Sequence, residues 1–305
     1  MAAPLSGNTV LVLGASSQVG IFAVPALAAA GARVIAVSRG GRPQGWPELP
    51  GVTWTGAGPG EVPGVTAIDA LLSAGPLALA SAWLAARREI GRIAATSTTS
   101  VTVKADSADS AERRAMAEIR AAEESLAQAC AGRGAPLVLL RPTLVWGCGL
   151  DRNVTSLARF IERFGFCPVA RGAAGRRQPL HAADLAEALV RGLSRWNEGQ
   201  LAAPLCGGET VVYPEMAGRV CEALGRPRRL LPLPSGPFAA AAGAVGVLTG
   251  SGLNAEMVRR QARDLVFDDR EARDALGVAP RGFRPRRSDF PPPSEAVMAD
   301  LARPA

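Results

Sequence analysis

The hydrophobic pattern opens with a β-branched apolar run, Thr9–Leu13, that stops at Gly14. The turn GASSQVG leads into an apolar helical stretch at 21–30, ended by Gly31, and Arg33–Val37 is a second buried run. A strand, a helix and a strand within about 30 residues begin a parallel doubly wound sheet. Val52–Thr55 and 67–73 read as further strands, separated only by GAGPGEVPG, which is too short and too rich in Gly and Pro for a crossover helix. A helix at 77–88 and a strand at Arg92–Thr96 follow. The spacing then predicts a long helix over 111–131, capped by Ser110 and ended by Gly132, and a buried strand at 137–140. Beyond Gly147 the pattern loosens. A helix at 155–164 precedes an Arg- and Gly-rich loop, and PLHAADLAEALVRGL reads as a strand edge feeding a helix. From Gln200 onward short strands, helices and Pro-rich turns alternate, and 291–293 reads as extended.

The expected fold class is α/β, a Rossmann-type doubly wound parallel sheet with a smaller C-terminal lobe. The expected division places a dinucleotide-binding domain at 1–148, with 179–195 adding a strand and a helix to it. Residues 149–178 and 196–305 would form a substrate lobe.

Composition narrows the partners. The chain has 305 residues, a formal charge of +7, and 34 Lys+Arg, of which Lys104 is the single lysine. Such a balance favours anionic partners. The arginines cluster at intervals without interleaved aromatics, which argues for small anions and against nucleic acid. Five widely spaced cysteines, with no CxxC pair and no histidine at metal spacing, read as reduced buried thiols of a cytoplasmic protein with no metal site. The start of the chain lacks the pattern of a secretory signal, and the apolar run at 237–253 reads as a packed helix, not a membrane span.

Gly14, Ser17 and Gly20 stand at the three positions of a GxxGxxG turn between strand and helix. Gly14 permits the tight turn and Gly20 the close approach of helix to strand. Serine at the middle position crowds a pyrophosphate slightly and offers it a hydroxyl. Ser16, Gln18 and Val19 complete the turn, and the helix N-terminus adds free amides and partial positive charge. At the end of the second strand, where an acid would bind a ribose diol, stand Ser38 and Arg39, with Arg42 beyond. An acid repels a 2′-phosphate whereas these residues can bind one, so NADP is expected over NAD.

The turn GASSQVG, the strand end TSTTSV at 96–101, LRPTLVWG at 140–147, GLDRN at 149–153 and RRQPLHAADLA at 176–186 resemble the extended short-chain dehydrogenase/reductases. The resemblance is to their NAD-dependent epimerase/dehydratase branch, and LVFDDREARDALGVAPRGF resembles that family's last segment. It implies a small-molecule substrate, a nucleotide sugar among the candidates, and leaves room for a homodimer. It also implies a strand-end hydroxyl at Thr98, with Ser97 beside it, that bonds the reacting substrate hydroxyl; local backbone is the alternative partner. Arg177, four residues before His181, matches the arginine that binds the substrate diphosphate, or is a solvated loop residue. Asn153, in the GLDRN stretch, is expected to be a further substrate contact. His181 either orders the strand-helix junction or carries protons.

The family's YxxxK pair is absent. Matching its following acid to Glu124 puts Met116 and Arg120 at the Tyr and Lys positions; matching it to Glu123 puts Ala115 and Ile119 there. Methionine exchanges no proton, and Arg120 can bind ribose or phosphate but is no base. The resemblance therefore implies one of two functions. The first is an atypical oxidoreductase or epimerase that replaces the missing pair; the second is a non-catalytic NADP-binding structural subunit or redox sensor.

Overall fold

The computed structural model describes residues 5–56, 68–85, 90–249 and 255–292. Strands β1 (Thr9–Leu13), β2 (Arg33–Val37), β3 (Val52–Thr55), β4 (Ala70–Ser73), β5 (Arg92–Thr96) and β6 (Leu137–Pro142) lie in one sheet. Two two-residue strands, β7 (Val145–Trp146) and β10 (Leu180–His181), pair with each other outside it. The seventh strand of the sheet is β11 (Gln200–Leu205), and the order is β11-β6-β5-β4-β1-β2-β3 with every pairing parallel. The order reverses between β1 and β4, where a doubly wound sheet opens its ligand crevice.

Side-chain alternation sorts the core into two layers. Val10, Val12, Leu72, Ala94, Val138 and Leu140 face helices α1 (Gly20–Ala29) and α6 (Ala182–Arg195), together with α10 (Arg270–Leu276). Leu11, Leu13, Leu71, Ile93, Ala95 and Leu139 face α2 (Leu77–Ala85) and α4 (Ser110–Ala131) on the other side. Because both faces are covered, the strands read as nearly continuous apolar runs. Between β5 and α4 lies the short α3 (Ser100–Val103).

The second lobe has its own core. Helix α5 (Val154–Phe164), strand β8 (Cys167–Ala170), helix α7 (Tyr213–Ala223) and strand β13 (Leu230–Leu233) enclose Ile161, Val169, Met216, Val220 and Phe283. Two-residue strands β9 (Arg176–Arg177) and β12 (Val211–Val212) pair antiparallel at its base. Helices α8 (Ser235–Thr249) and α9 (Ala255–Arg260) pack on β8 through Ala239 and Val258.

Three expectations change. The lobe expected at 196–305 yields two stretches to the sheet, because β11 pairs with β6 over six residues and α10 packs Ala272 and Leu276 into the α1–α6 layer. The strand expected within 179–195 does not join the main sheet but pairs with β7. The cap of α4 is Asp109, not Ser110; the Asp109 carboxylate accepts from the amides of Ala111 at 2.8 Å and Glu112 at 3.4 Å. Most of the Gly- and Pro-rich link after β3, and residue 293, lie outside the described residues. Among the described residues no helix is long and apolar enough to cross a membrane.

Candidate functional site

The turn after β1 packs tightly because it carries no side chain at its two ends. Gly14 has φ +75°, and a Cβ there would sit 2.6 Å from the Gly75 amide nitrogen; a Cβ on Gly20 would sit 2.3 Å from the Gly14 carbonyl oxygen. Ser17 holds the middle, but not as expected. Its hydroxyl donates to the Ala74 carbonyl at 2.8 Å and accepts from the Gly20 amide at 3.1 Å, so its one proton ties the turn to β4 and is not offered to a phosphate. Gln18 likewise works sideways, donating from Nε2 to the Gly147 carbonyl, while its own carbonyl accepts from the Cys148 thiol. Val19 is buried and stands before α1 without a side-chain cap.

What remains for a ligand is backbone. The amides of Ser16, Gln18 and Val19 find no acceptor among the described residues, and they stand at the N-terminus of α1. Three free amides beside a helix dipole make an anion cradle, so these residues fit a dinucleotide pyrophosphate. The Ser16 hydroxyl lies 2.8 Å from that of Ser38, joining the turn to the end of β2. Arg39 is exposed and has no hydrogen-bond or ion-pair partner among the described residues, whereas Arg42 is paired with Glu48 at 2.8 Å.

At the end of β5 the hydroxyls divide. Thr99, which precedes α3, donates to the Pro142 carbonyl, and the Thr98 hydroxyl accepts from the Ser100 amide at 3.1 Å. The Ser97 hydroxyl is buried with no partner among the described residues, as is that of Ser73 at the end of neighbouring β4. Buried hydroxyls normally find partners, so an orphan at a strand end marks a place where a ligand can complete the bonding. Helix α4 turns Met116 and Ile119, with Glu123, Leu126 and Cys130, toward the protein. Arg120 points outward and donates to the Val101 carbonyl at 3.0 Å, which ties α4 to α3 and takes it from the ribose-binding role expected of it. Glu123 is no free acid: Arg141 grips it with Nε and Nη2, at 3.0 and 2.8 Å.

Arg177 is the clearest departure. It is 5% exposed, donates to the carbonyls of Arg176 (2.9 Å), Arg263 (2.6 Å) and Arg260, and stacks 5.9 Å from the Tyr213 ring centroid. Burial lowers its pKa. A guanidinium so engaged braces the lobe and has little left for a diphosphate. Asn153 is exposed and its side chain has no partner among the described residues; Asp151 instead caps α5, accepting from the amides of Asn153 and Thr155.

His181 precedes α6 and its Nδ1 accepts from the Ala183 amide at 3.1 Å, which leaves the proton on Nε2. Its ring packs edge-on to Trp146 at 4.7 Å and near Phe22 at 5.6 Å. Burial first, and then the Arg281 charge, lower its pKa to about 4, so the ring is neutral near pH 7. It lines a cavity of about 800 Å³ together with Trp146, Arg219, Arg281, Arg284 and Asp289. Apart from Trp146 and His181 the cavity's lining comes from α7 and the segment 281–289 of the second lobe; Ser97, Thr98 and the residues of α4 do not line it. Among the described residues no cluster of His, Cys, Asp and Glu could hold a metal, and all five cysteines are free and buried.

Sequence reasoning passed over one cluster, between α3, α4 and α9. Lys104, Ser107 and Arg260 converge on the carboxylate of Glu112. The signal was present in the scarcity of lysine, but Arg260 lies 148 residues from Glu112 and no spacing rule connects them.

No protein-family model matches the chain, and no curated protein sequence matches it. Solved structures do. MoeE5 in complex with UDP-glucose and NAD is 19% identical, with 96% of this chain and 98% of that chain covered and a TM-score of 0.67. Epimerase Mth375 from Methanothermobacter thermautotrophicus is 16% identical, with 97% and 93% covered and a TM-score of 0.71. The Bordetella bronchiseptica enzyme WbmF in complex with NAD+ and UDP is 16% identical, with 99% and 97% covered and a TM-score of 0.68. Likeness over both lobes, at identities this low, establishes that the chain has the Rossmann-type two-lobed fold of these structures.

Proposed function

We propose that the chain binds a nicotinamide dinucleotide, NADP in preference to NAD, and acts as an atypical oxidoreductase or epimerase on a phosphorylated or nucleotide-linked small molecule. The observation that carries the reading is the set of unpaired amides at Ser16, Gln18 and Val19 before α1, at the crevice where the strand order reverses. The NAD and UDP-sugar named with MoeE5, and the NAD+ and UDP named with WbmF, support the ligand class. Ser38 in place of an acid, with exposed Arg39 after it, supports NADP.

A bound nicotinamide supplies hydride transfer. Ser97 supplies a hydroxyl that bonds the substrate's reacting group, and Thr98, whose oxygen already accepts from Ser100, supplies a second donor. Neither ionises near neutral pH, and Met116 takes no proton, so proton transfer is the slow step and turnover is low. Asn153 is available to the substrate from the second lobe.

A second reading is a non-catalytic NADP-binding structural subunit or redox sensor. The engagement of Arg177 with three carbonyls favours it, because the arginine expected to take a diphosphate is occupied.

Hydride exchange between NADPH and a panel of UDP-sugars and ketones separates the two. Exchange that Ser97→Ala abolishes while NADPH binding persists establishes the enzyme; tight NADPH binding without exchange establishes the subunit. Arg39→Ala is expected to weaken NADPH about tenfold and leave NADH unchanged, measured by fluorescence titration. Tighter NADH than NADPH in the unaltered protein refutes the NADP preference.

A further inference from the structure

The single lysine of the chain is held where the two lobes meet. Lys104, just past α3, places Nζ 3.0 Å from Glu112 Oε1. Arg260, at the end of α9 in the other lobe, grips the same carboxylate with Nη1 at 2.8 Å from Oε2 and Nη2 at 2.9 Å from Oε1. The Ser107 hydroxyl donates to Oε2 at 2.8 Å. Side-chain exposures are 28% for Lys104, 13% for Glu112 and 11% for Arg260, so the group is largely withdrawn from water. Arg260 also accepts from Arg177 through its carbonyl, which brings a third cation close behind.

We propose that Lys104 and Arg260 form an anion site for the substrate's phosphate, and that Glu112 fills it as an internal counter-ion until that phosphate displaces it. This rests on the reading of the second lobe as the substrate lobe. A planar guanidinium and an ammonium presented to one acceptor suit a phosphate as well as a carboxylate, and a phosphate brings more oxygens and more charge. Two cations against one carboxylate leave a surplus that a dianion satisfies. The site follows the strand end closely: the Thr98 hydroxyl accepts from Ser100 at the start of α3, and Lys104 stands at the end of that helix. Arg260 thus takes the role that Arg177, held by backbone, leaves open. Burial alone would push the Glu112 carboxyl up, but its hydrogen bonds from Arg260, Ser107 and Lys104 outweigh that and hold it at about 2. Protons therefore do not open the group near neutral pH, and competing anions do.

The test titrates the full chain, saturated with NADPH so that the turn after β1 is filled, with inorganic pyrophosphate by calorimetry. Glu112→Gln is expected to bind pyrophosphate about tenfold more tightly than the unaltered protein. Glu112→Asp, which keeps the charge on a shorter stem, falls between them and serves if Glu112→Gln does not fold. Adding Lys104→Met to either variant removes the gain. Equal affinity in the unaltered protein and the Glu112 variants, or a gain that survives Lys104→Met, overturns the proposal. Failure of the unaltered protein to bind NADPH overturns the cofactor reading instead; the same titrations without NADPH, with Lys104→Met as the control, then decide the anion site alone.

Discussion

Gly20 and Arg177 show at the scale of the residue how a position's surroundings set its role. A Cβ on Gly20 would stand 2.3 Å from the Gly14 carbonyl oxygen, which is backbone and cannot give way without moving β1 or α1. Gly20→Ala is therefore expected to destabilise the chain by about 2 kcal/mol and to abolish NADPH binding, read by urea unfolding and fluorescence titration. Arg177→Met leaves the carbonyls of Arg176, Arg260 and Arg263 short of a donor and is expected to cost about 3 kcal/mol while leaving NADPH affinity unchanged. A role in substrate binding alone predicts the reverse, little loss of stability and a raised KM. His181 carries a pH signature. Its folded pKa of about 4 lies below the ordinary 6.5, so its contribution to stability is full above pH 6.5 and is lost as pH falls toward 4. Unfolding measured across that window should lose this component in His181→Asn, which retains a side chain able to cap α6.

Among the elements, α4 differs most from what its resemblance implies. Its inward stripe runs from Glu112 through Met116, Ile119, Glu123 and Leu126 to Cys130, the spacing of a helix packed on a sheet. Aliphatic packing occupies the middle of the stripe, and each acid on it is bound, Glu112 by Arg260 and Lys104, Glu123 by Arg141. A helix rebuilt in this way depends on its cap: Asp109→Ala removes the acceptor for two first-turn amides and is expected to cost about 1 kcal/mol in urea unfolding. The long helix is legible from its apolar period and from Gly132, and serine's preference for cap positions points to Ser110. Local backbone geometry decided for Asp109, which alone has the extended conformation that directs a carboxylate at the following amides.

For the whole molecule, the lobes are joined both by chain crossings and by charge. Glu112 is held at about 2 against an ordinary 4.5, so its contribution to the lobe contact is full above pH 4.5 and is lost as pH falls toward 2. Glu112→Gln should flatten that part of the stability profile, measured by unfolding between pH 5 and pH 2. The sequence by itself determined the layered α/β architecture, because alternating apolar runs bounded by glycines leave few other ways to bury both faces of a sheet. It also located the glycine turn, since Gly14 and Gly20 sit within one strand-turn-helix unit, and it excluded a Tyr–Lys pair from α4, since a residue type absent from a helix cannot be supplied by folding. Only the tertiary structure decided that Gln200–Leu205 closes the sheet, that Ser17 and Gln18 brace the turn, that Arg177 is held by carbonyls, and that Lys104 and Arg260 share Glu112. Each of these depends on partners that lie far apart along the chain. A side chain's hydrogen-bonding capacity is written in its residue type, but which partner uses that capacity is settled by three-dimensional proximity.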